Sequence, residues 1–355
     1  MRKTLLMIAG TIGLALGGLA PAQLAFAAGQ LTIVSYGGSY QKALHSAVLE
    51  PFATSTGIKV TEDEFNGEIA KIRAMVKSKS VSWDVVDLAA GQAVQLCAEG
   101  TVETIDWKKL GQLGLDRSKL MNSDKYDCGM PYVISTSVIA YDKDKLPNGP
   151  KTIADFFDTQ KFPGKRGLRK LPRGSLERAL IADGVPVSDV YKVLSTPEGV
   201  DRAFKKLDTI KKDIVWWTAG AQPPQLLADG QVIMTTIYNS PVYDANKNSG
   251  KHFEIMWDAQ LLETGIWAIP EGSPHRDDAY RFLAFAGSPQ PQADMTRYVP
   301  YGPTHRDAIP LVDPAMLSYL PTAPNHMSNA FETDSAFWAD KEDELGQRFT
   351  AWLAK

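Results

Sequence analysis

Residues 31–61 read LTIVSYGGSYQKALHSAVLEPFATSTGIKVT, and this stretch decides the fold class. Leu31–Ser35 is a short apolar run of the kind that fills a buried strand. Gly37-Gly38-Ser39 breaks it, and Leu44, Val48 and Phe52 then recur on one helical face until Gly57 stops the pattern. Ile58–Thr61 predicts a second strand, Ile69–Lys79 a helix and Trp83–Asp87 a third strand. The next helix ends at Gly100, in the place of a C-terminal glycine cap. Strands alternating with helices at this spacing build an α/β fold with a mainly parallel sheet, whose ligands collect at the carboxyl ends of the strands.

Outward from there, Tyr132–Tyr141 is a long β-rich segment without breakers, followed by a turn-rich stretch with Pro147, Gly149, Pro150, Pro163, Gly164 and Gly167. Alternation then resumes. Helices are expected at Leu176–Ala182, Pro197–Lys211 and Gln222–Asp229, and strands at Ile214–Trp217 and Val232–Tyr238. Phe253–Trp257 and Ile266–Ile269 read as two further strands, and Asp277–Ala286 and Pro289–Tyr298 as helices before a Pro-rich tail and an amphipathic end. A chain of 355 residues is long enough for about two domains. No flexible linker separates them, and strand-like crossings near Ser137 and Gly265 suit a two-lobed clamp.

Composition narrows the function. Hydrophobic residues make up 44% of the chain, enough for a sizeable core, which excludes a disordered protein. Lys and Arg total 38 against 41 Asp and Glu, for a net charge of -3, without the basic excess of a nucleic-acid binder. Met1–Ala27 opens with Arg2 and Lys3, continues through an uncharged run to Ala20 and ends in Ala25-Phe26-Ala27. Those are the three parts of a secretory signal, so the mature protein is expected in the periplasm after cleavage near Ala27. In an oxidising compartment the two cysteines, Cys97 and Cys128, read as a disulfide, with a reactive thiol or a metal ligand as the alternatives.

Enzyme motifs are missing: there is no nucleophile elbow, zinc-binding helix, P-loop or dinucleotide fingerprint in the mature chain. The five histidines (His45, His252, His275, His305 and His326) are scattered. Loops at strand ends are richer. Gly38, Ser39 and Tyr40 lie between the first strand and the first helix, where glycine lets backbone approach a ligand. Ser135-Thr136-Ser137 clusters hydroxyls at a crossing, and Trp217 ends a strand shortly before Gln222. Tyr238-Asn239 ends another strand, and Trp257, Asp258 and Glu263 surround the next crossing. Aromatic walls with a carboxylate are what an ammonium ligand needs.

The chain resembles the periplasmic solute-binding proteins of ABC importers, and within them the spermidine/putrescine-binding family. The resemblance rests on Trp83-Asp84-Val85-Val86, Glu99-Gly100, Pro131-Tyr132, Phe162-Pro163-Gly164 and the run from Leu226 to Val232. Tyr238-Asn239, Ala268-Ile269-Pro270 and Tyr301-Gly302-Pro303-Thr304 complete it. It implies a type II fold of two α/β lobes with mixed, mainly parallel sheets joined by two hinge strands. The lobes would comprise residues 28–137 with 266–305, and 138–265 with 306–355. It implies a monomer without cofactor or metal, whose partners are a small amine and an inner-membrane permease. It carries binding positions onto Gly38, Ser39, Gln92, Ser137 and Tyr238.

The acids of a polyamine site do not carry over. One such region here reads Leu171-Pro172-Arg173-Gly174-Ser175, and the other keeps only Glu263. A polyamine needs several carboxylates to replace its hydration. One Arg facing one Glu suits a zwitterion, Arg173 taking its carboxylate and Glu263 its ammonium, as in 4-aminobutyrate or an amino-acid conjugate. Two other readings stay open: a ferric-ion carrier using Tyr298 and Tyr301, and a secreted enzyme on the same fold.

Overall fold

Residues 29–65, 67 and 69–355 are described in the computed structural model, so the export signal expected at 1–27 lies outside them. One mixed sheet of ten strands organises these residues, in the order β2-β1-β3-β8-β4-β7-β5-β6, with β9 and β10 paired alongside β4 and β8. The strands are β1 (Gln30–Ser35), β2 (Lys59–Glu64), β3 (Val85–Ala89), β4 (Met130–Asp142) and β5 (Arg166–Arg169). They continue with β6 (Ile214–Trp217), β7 (Met234–Tyr238), β8 (Phe253–Ala268), β9 (Gly302–Pro303) and β10 (Phe331–Glu332).

Pairing is parallel toward both ends of the sheet, where β1 joins β2 and β3 and β5 joins β6 and β7. It is antiparallel through the middle, where β8 joins β3 and β4 and β4 joins β7. The expected alternation from β1 to β3 is present, because β1 and β3 are covered on both faces and carry near-continuous apolar runs.

The two expected strands at Phe253–Trp257 and Ile266–Ile269 are one strand of 16 residues. Its middle crosses between cores, so polar residues interrupt the apolar pattern there. Gln260 is buried at this crossing, its amide donating to the carbonyls of Pro321 (3.0 Å) and His326 (2.8 Å). The paired register of β4 shifts between Pro131 and Val133 and again between Ser137 and Ile139.

Apolar side chains gather separately at the two ends of these long strands. One core joins Leu31, Phe52, Tyr132, Trp267, Tyr280 and Phe282. Another joins Ile139, Phe156, Leu176, Phe204, Leu261 and Trp338. The amphipathic end is the helix Ser335–Leu353, which delivers Trp338, Leu345, Phe349 and Trp352 to the second core. Burying each such aromatic contributes about 1.5–3 kcal/mol. The helix Pro197–Asp208 stops three residues before the expected end and gives way to a turn of 3-10 helix, Lys211–Asp213. Thr196 caps its start, accepting from the Gly199 amide at 3.1 Å. Cys97, at the end of the helix Ala90–Ala98, is disulfide-bonded to Cys128, two residues before β4.

Candidate ligand-binding cleft

Strands β5, β6 and β7 are parallel, so their carboxyl ends lie together and carry Arg169, Trp217 and Tyr238 side by side. Ser137 pairs with Tyr238 on one side and with Leu261 on the other, and Glu263 lies across from Ser135. The turn before the helix Ser175–Ala182 adds Arg173, and the helix itself adds Arg178. These side chains line a cavity of about 160 Å³.

Its polar groups form a chain. Arg169 donates to the Tyr238 hydroxyl at 2.8 Å, and that hydroxyl lies 3.4 Å from Oε1 of Glu263. The Arg169 guanidinium also sits 5.8 Å from the Trp217 ring and 5.9 Å from the Tyr238 ring. Burial pushes the Tyr238 phenol up to about 12, and the Glu263 charge adds to the shift. Burial raises the Glu263 carboxyl above its usual range, opposed by the nearby charges of Arg169, Arg173 and Arg178.

Arg178 is buried and donates to the Ser137 carbonyl at 2.6 Å, to the Ser137 hydroxyl at 3.2 Å and to the Ala259 carbonyl at 3.3 Å. Burial lowers its pKa to about 10. Arg173 donates from Nη2 to Glu342 at 2.6 Å and lies 5.4 Å from the Trp338 ring. Its Nε is buried without a hydrogen-bond partner. Three guanidiniums and two carboxylates, Glu263 and Glu342, thus line the cavity, with the buried Glu177 acting on Arg178 from behind, a set that can take a ligand carboxylate at an arginine and an ammonium at Glu263.

The arginine-bearing turn is fixed from beneath by Glu177, which is fully buried. Its carboxylate accepts from the Gly174 amide (2.7 Å), the Tyr191 hydroxyl (3.0 Å) and the Trp338 indole (2.8 Å). Gly174 takes φ +80°, which a residue with a Cβ adopts only under strain.

On the β3 side, Asp87 is buried and accepts from the hydroxyls of Tyr132 at 2.5 Å and Ser35 at 3.3 Å. Tyr40 hydrogen-bonds Tyr132 in turn, and its ring packs 5.6 Å from Tyr301. Burial pushes the Asp87 carboxyl up to about 7, against the pull of its hydroxyl donors. Gln92 accepts from the Tyr36 hydroxyl (3.0 Å) and the Ala89 amide (3.1 Å) and donates to the Gly67 carbonyl (2.6 Å). It lines a second cavity, of about 380 Å³, which shares Arg173, Glu263 and Glu342 with the first.

The fold therefore brings Ser137, Arg173, Trp217, Tyr238 and Glu263 into one cavity and Gln92 into its neighbour. Gly38, at φ +65°, and Tyr40 stand in the first turn of the helix Gly38–Leu44 and do not line either cavity. Gln222 does not reach the site: its side chain accepts from the amides of Thr218 and Ala219, both at 2.8 Å, and closes the turn before its own helix. Trp257 stacks on His326 at 4.0 Å, and Asp258 accepts from the Ile153 amide at 2.6 Å, so both serve packing. Of the two tyrosines of the ferric reading, Tyr298 is exposed and Tyr301 packs on Tyr40.

Sequence reasoning overlooked Arg169, Arg178, Asp87, Glu177 and Glu342. For Arg169 a signal existed, since it ends a short strand in parallel with Trp217. Arg178 and Glu177 look like ordinary residues of a helix, and only packing shows otherwise.

The model of the bacterial extracellular solute-binding protein family matches residues 47–322. The chain is 43% identical over 343 residues to the gamma-aminobutyric acid-binding protein of Pseudomonas aeruginosa, covering 96% of each. It is 24% identical over 315 residues to the putrescine-binding periplasmic protein of Escherichia coli, covering 80% of this chain and 84% of that one. A solved GABA receptor superposes with a TM-score of 0.78 at 36% identity, covering 92% of this chain and 98% of the other.

Proposed function

The chain belongs to the bacterial extracellular solute-binding protein family, substrate-binding transport proteins rather than enzymes, and on that premise we propose that it captures a small ω-amino acid such as γ-aminobutyrate. One observation carries this reading: Arg169 and Glu263 stand on either side of the Tyr238 hydroxyl within a single small cavity. The ligand carboxylate goes to the arginine side, and its ammonium goes to Glu263 between aromatic faces. Two relatives, the Pseudomonas protein and the solved GABA receptor, are named for this ligand.

A polyamine fits less well. Three arginines repel its second ammonium, and a buried unpaired charge is costly. The polyamine-binding relative is also more distant in sequence. A cavity of about 160 Å³ is smaller than those that hold drug-sized molecules, which again favours a short ligand.

The same reading includes export by the signal at 1–27, work in the periplasm as a monomer and delivery to an inner-membrane ABC permease. The lobes would be residues 28–137 with 266–305, and 138–265 with 306–355, closing about β4 and β8. The separate cores at the two ends of these strands support that division.

The test is a thermal-shift and calorimetric series on unfolded, ligand-stripped and refolded protein, against γ-aminobutyrate, putrescine and spermidine. A ligand at 100 times its Kd stabilises by about 2.7 kcal/mol, enough to move the midpoint by degrees. A response to γ-aminobutyrate is expected. A response to the polyamines alone would overturn the reading.

A further inference from the structure

The two cavities meet at three residues, Arg173, Glu263 and Glu342. Two of the three form an ion pair across that junction, with Arg173 Nη2 donating to Glu342 at 2.6 Å. The smaller chamber holds Arg169, Arg178, Trp217 and Tyr238. The larger, at about 380 Å³, is walled by the start of the helix Ala90–Ala98 on one side and by Glu332, Thr333 and Ser335 on the other. We propose that the Arg173–Glu342 pair is a partition between two chambers of one site, and that opening it admits an ω-amino acid whose nitrogen carries a hydroxylated arm. The proposal rests on the ω-amino acid reading above and adds a second subsite to it.

Three observations carry it. First, the arginines Arg169 and Arg178 lie only in the smaller chamber, which places the ligand carboxylate there and its nitrogen at Glu263, on the border of the larger one. An extension from nitrogen therefore points into the second chamber. Second, the partition is weakly held. Both partners are substantially exposed, at 39% and 59% of their side-chain surface, and exposed pairs of this kind contribute little to stability. Arg173 also keeps a buried Nε with no hydrogen-bond partner, a donor that a ligand hydroxyl can satisfy. Third, the chamber wall is polar. Glu332 is engaged by Asn122, Lys125 and Thr264, so it anchors the wall, whereas Gln95, Thr333 and Ser335 offer amide and hydroxyl groups. A secondary amine keeps the positive charge that Glu263 requires, whereas an acylated nitrogen loses it.

The experiment measures Kd by calorimetry for two ligands, γ-aminobutyrate and 4-(2-hydroxyethylamino)butyrate, on the wild-type protein and on Glu342→Ala and Ser335→Trp. The ratio of the two constants is the readout, so any shared effect of leaving Arg173 unpaired cancels. Glu342→Ala should shift the ratio toward the hydroxyethyl compound by about fivefold, the worth of one exposed ion pair. Ser335→Trp, which fills the second chamber, should shift it the other way. If the wild type binds γ-aminobutyrate and neither variant moves the ratio, the partition is wrong. If the wild type binds neither compound, the ω-amino acid reading itself has failed. Melting curves of both variants establish that they are folded before the ratios are read.

Discussion

Arg169 and Tyr238 close the carboxyl ends of two neighbouring parallel strands and are joined by a hydrogen bond of 2.8 Å. This bond holds the guanidinium in the wall of the cavity, near the Trp217 and Tyr238 rings. Arg173 is held differently, its Nη2 already committed to Glu342. Arg169→Ala should therefore weaken γ-aminobutyrate binding about 10- to 100-fold, the worth of a charge-assisted hydrogen bond. Arg173→Ala should cost less, about fivefold. Calorimetry on both variants checks the order, and a larger loss for Arg173→Ala would reverse the assignment of the carboxylate.

Glu177 gathers three donors from three different segments: the Gly174 turn, Tyr191 and Trp338. Removing its carboxylate leaves those donors buried and unpaired. Glu177→Ala should lower unfolding free energy by about 3 kcal/mol, and Glu177→Gln by about 1 kcal/mol, since the amide still accepts. Urea titration measures both. The alanine variant should also bind ligand more weakly, because the turn that carries Arg173 loses its anchor.

Asp87 sets a pH dependence whose sign follows from its surroundings. Its folded carboxyl is pushed up to about 7, above its value in the unfolded chain. The folded state thus holds an extra proton between about pH 4 and 7, and the contribution of this residue falls as pH rises through that window. Asp87→Asn, which imitates the protonated form, should gain stability relative to wild type between pH 5 and 8, by about 1–3 kcal/mol. Melting curves at the two pH values test this, and a gain that shrinks with rising pH would refute it.

The Cys97–Cys128 bond spans a sequence separation of 31. Closing a loop of that size stabilises by about 3–4 kcal/mol through the unfolded state. Cys97→Ser with Cys128→Ser, or treatment with a reductant under denaturing conditions, should move the urea midpoint down accordingly. An unchanged midpoint would show that the helix Ala90–Ala98 is held in place by packing alone.

Much of the fold was legible because its decisive segments are apolar and periodic. Leu31–Ser35, the face of Leu44, Val48 and Phe52, and the face of Val200, Phe204 and Leu207 are buried as their spacing implies. The continuity of β8 was not legible. Asp258, Gln260, Glu263 and Gly265 interrupt the pattern, and nothing local says that Gln260 finds its partners 61 and 66 positions away. The site divides in the same way. Trp217, Tyr238 and Glu263 stand at strand ends or crossings, where position alone is informative. Arg173 was visible as a cation where acids were expected, but its partner Glu342 lies 169 positions later on the terminal helix. Arg178 and Glu177 acquire their roles only through burial, and no spacing rule distinguishes them from the solvated face of a helix. Gln222 misled because a residue after a strand end can serve its own turn as readily as a cleft.

The core built on Leu31 and Phe52 also contains Trp267, Tyr280, Phe282 and Val299. A nascent chain cannot complete it until 268 further residues have been synthesised, because its first and last contributors are Leu31 and Val299. Contacts of such long sequence separation form late, since the intervening loop must be closed before they reward it. The second core has the same property through Trp338, Phe349 and Trp352. The two cores therefore close in order, the first once Val299 has been made and the second only after Trp352, so the second is the last to mature.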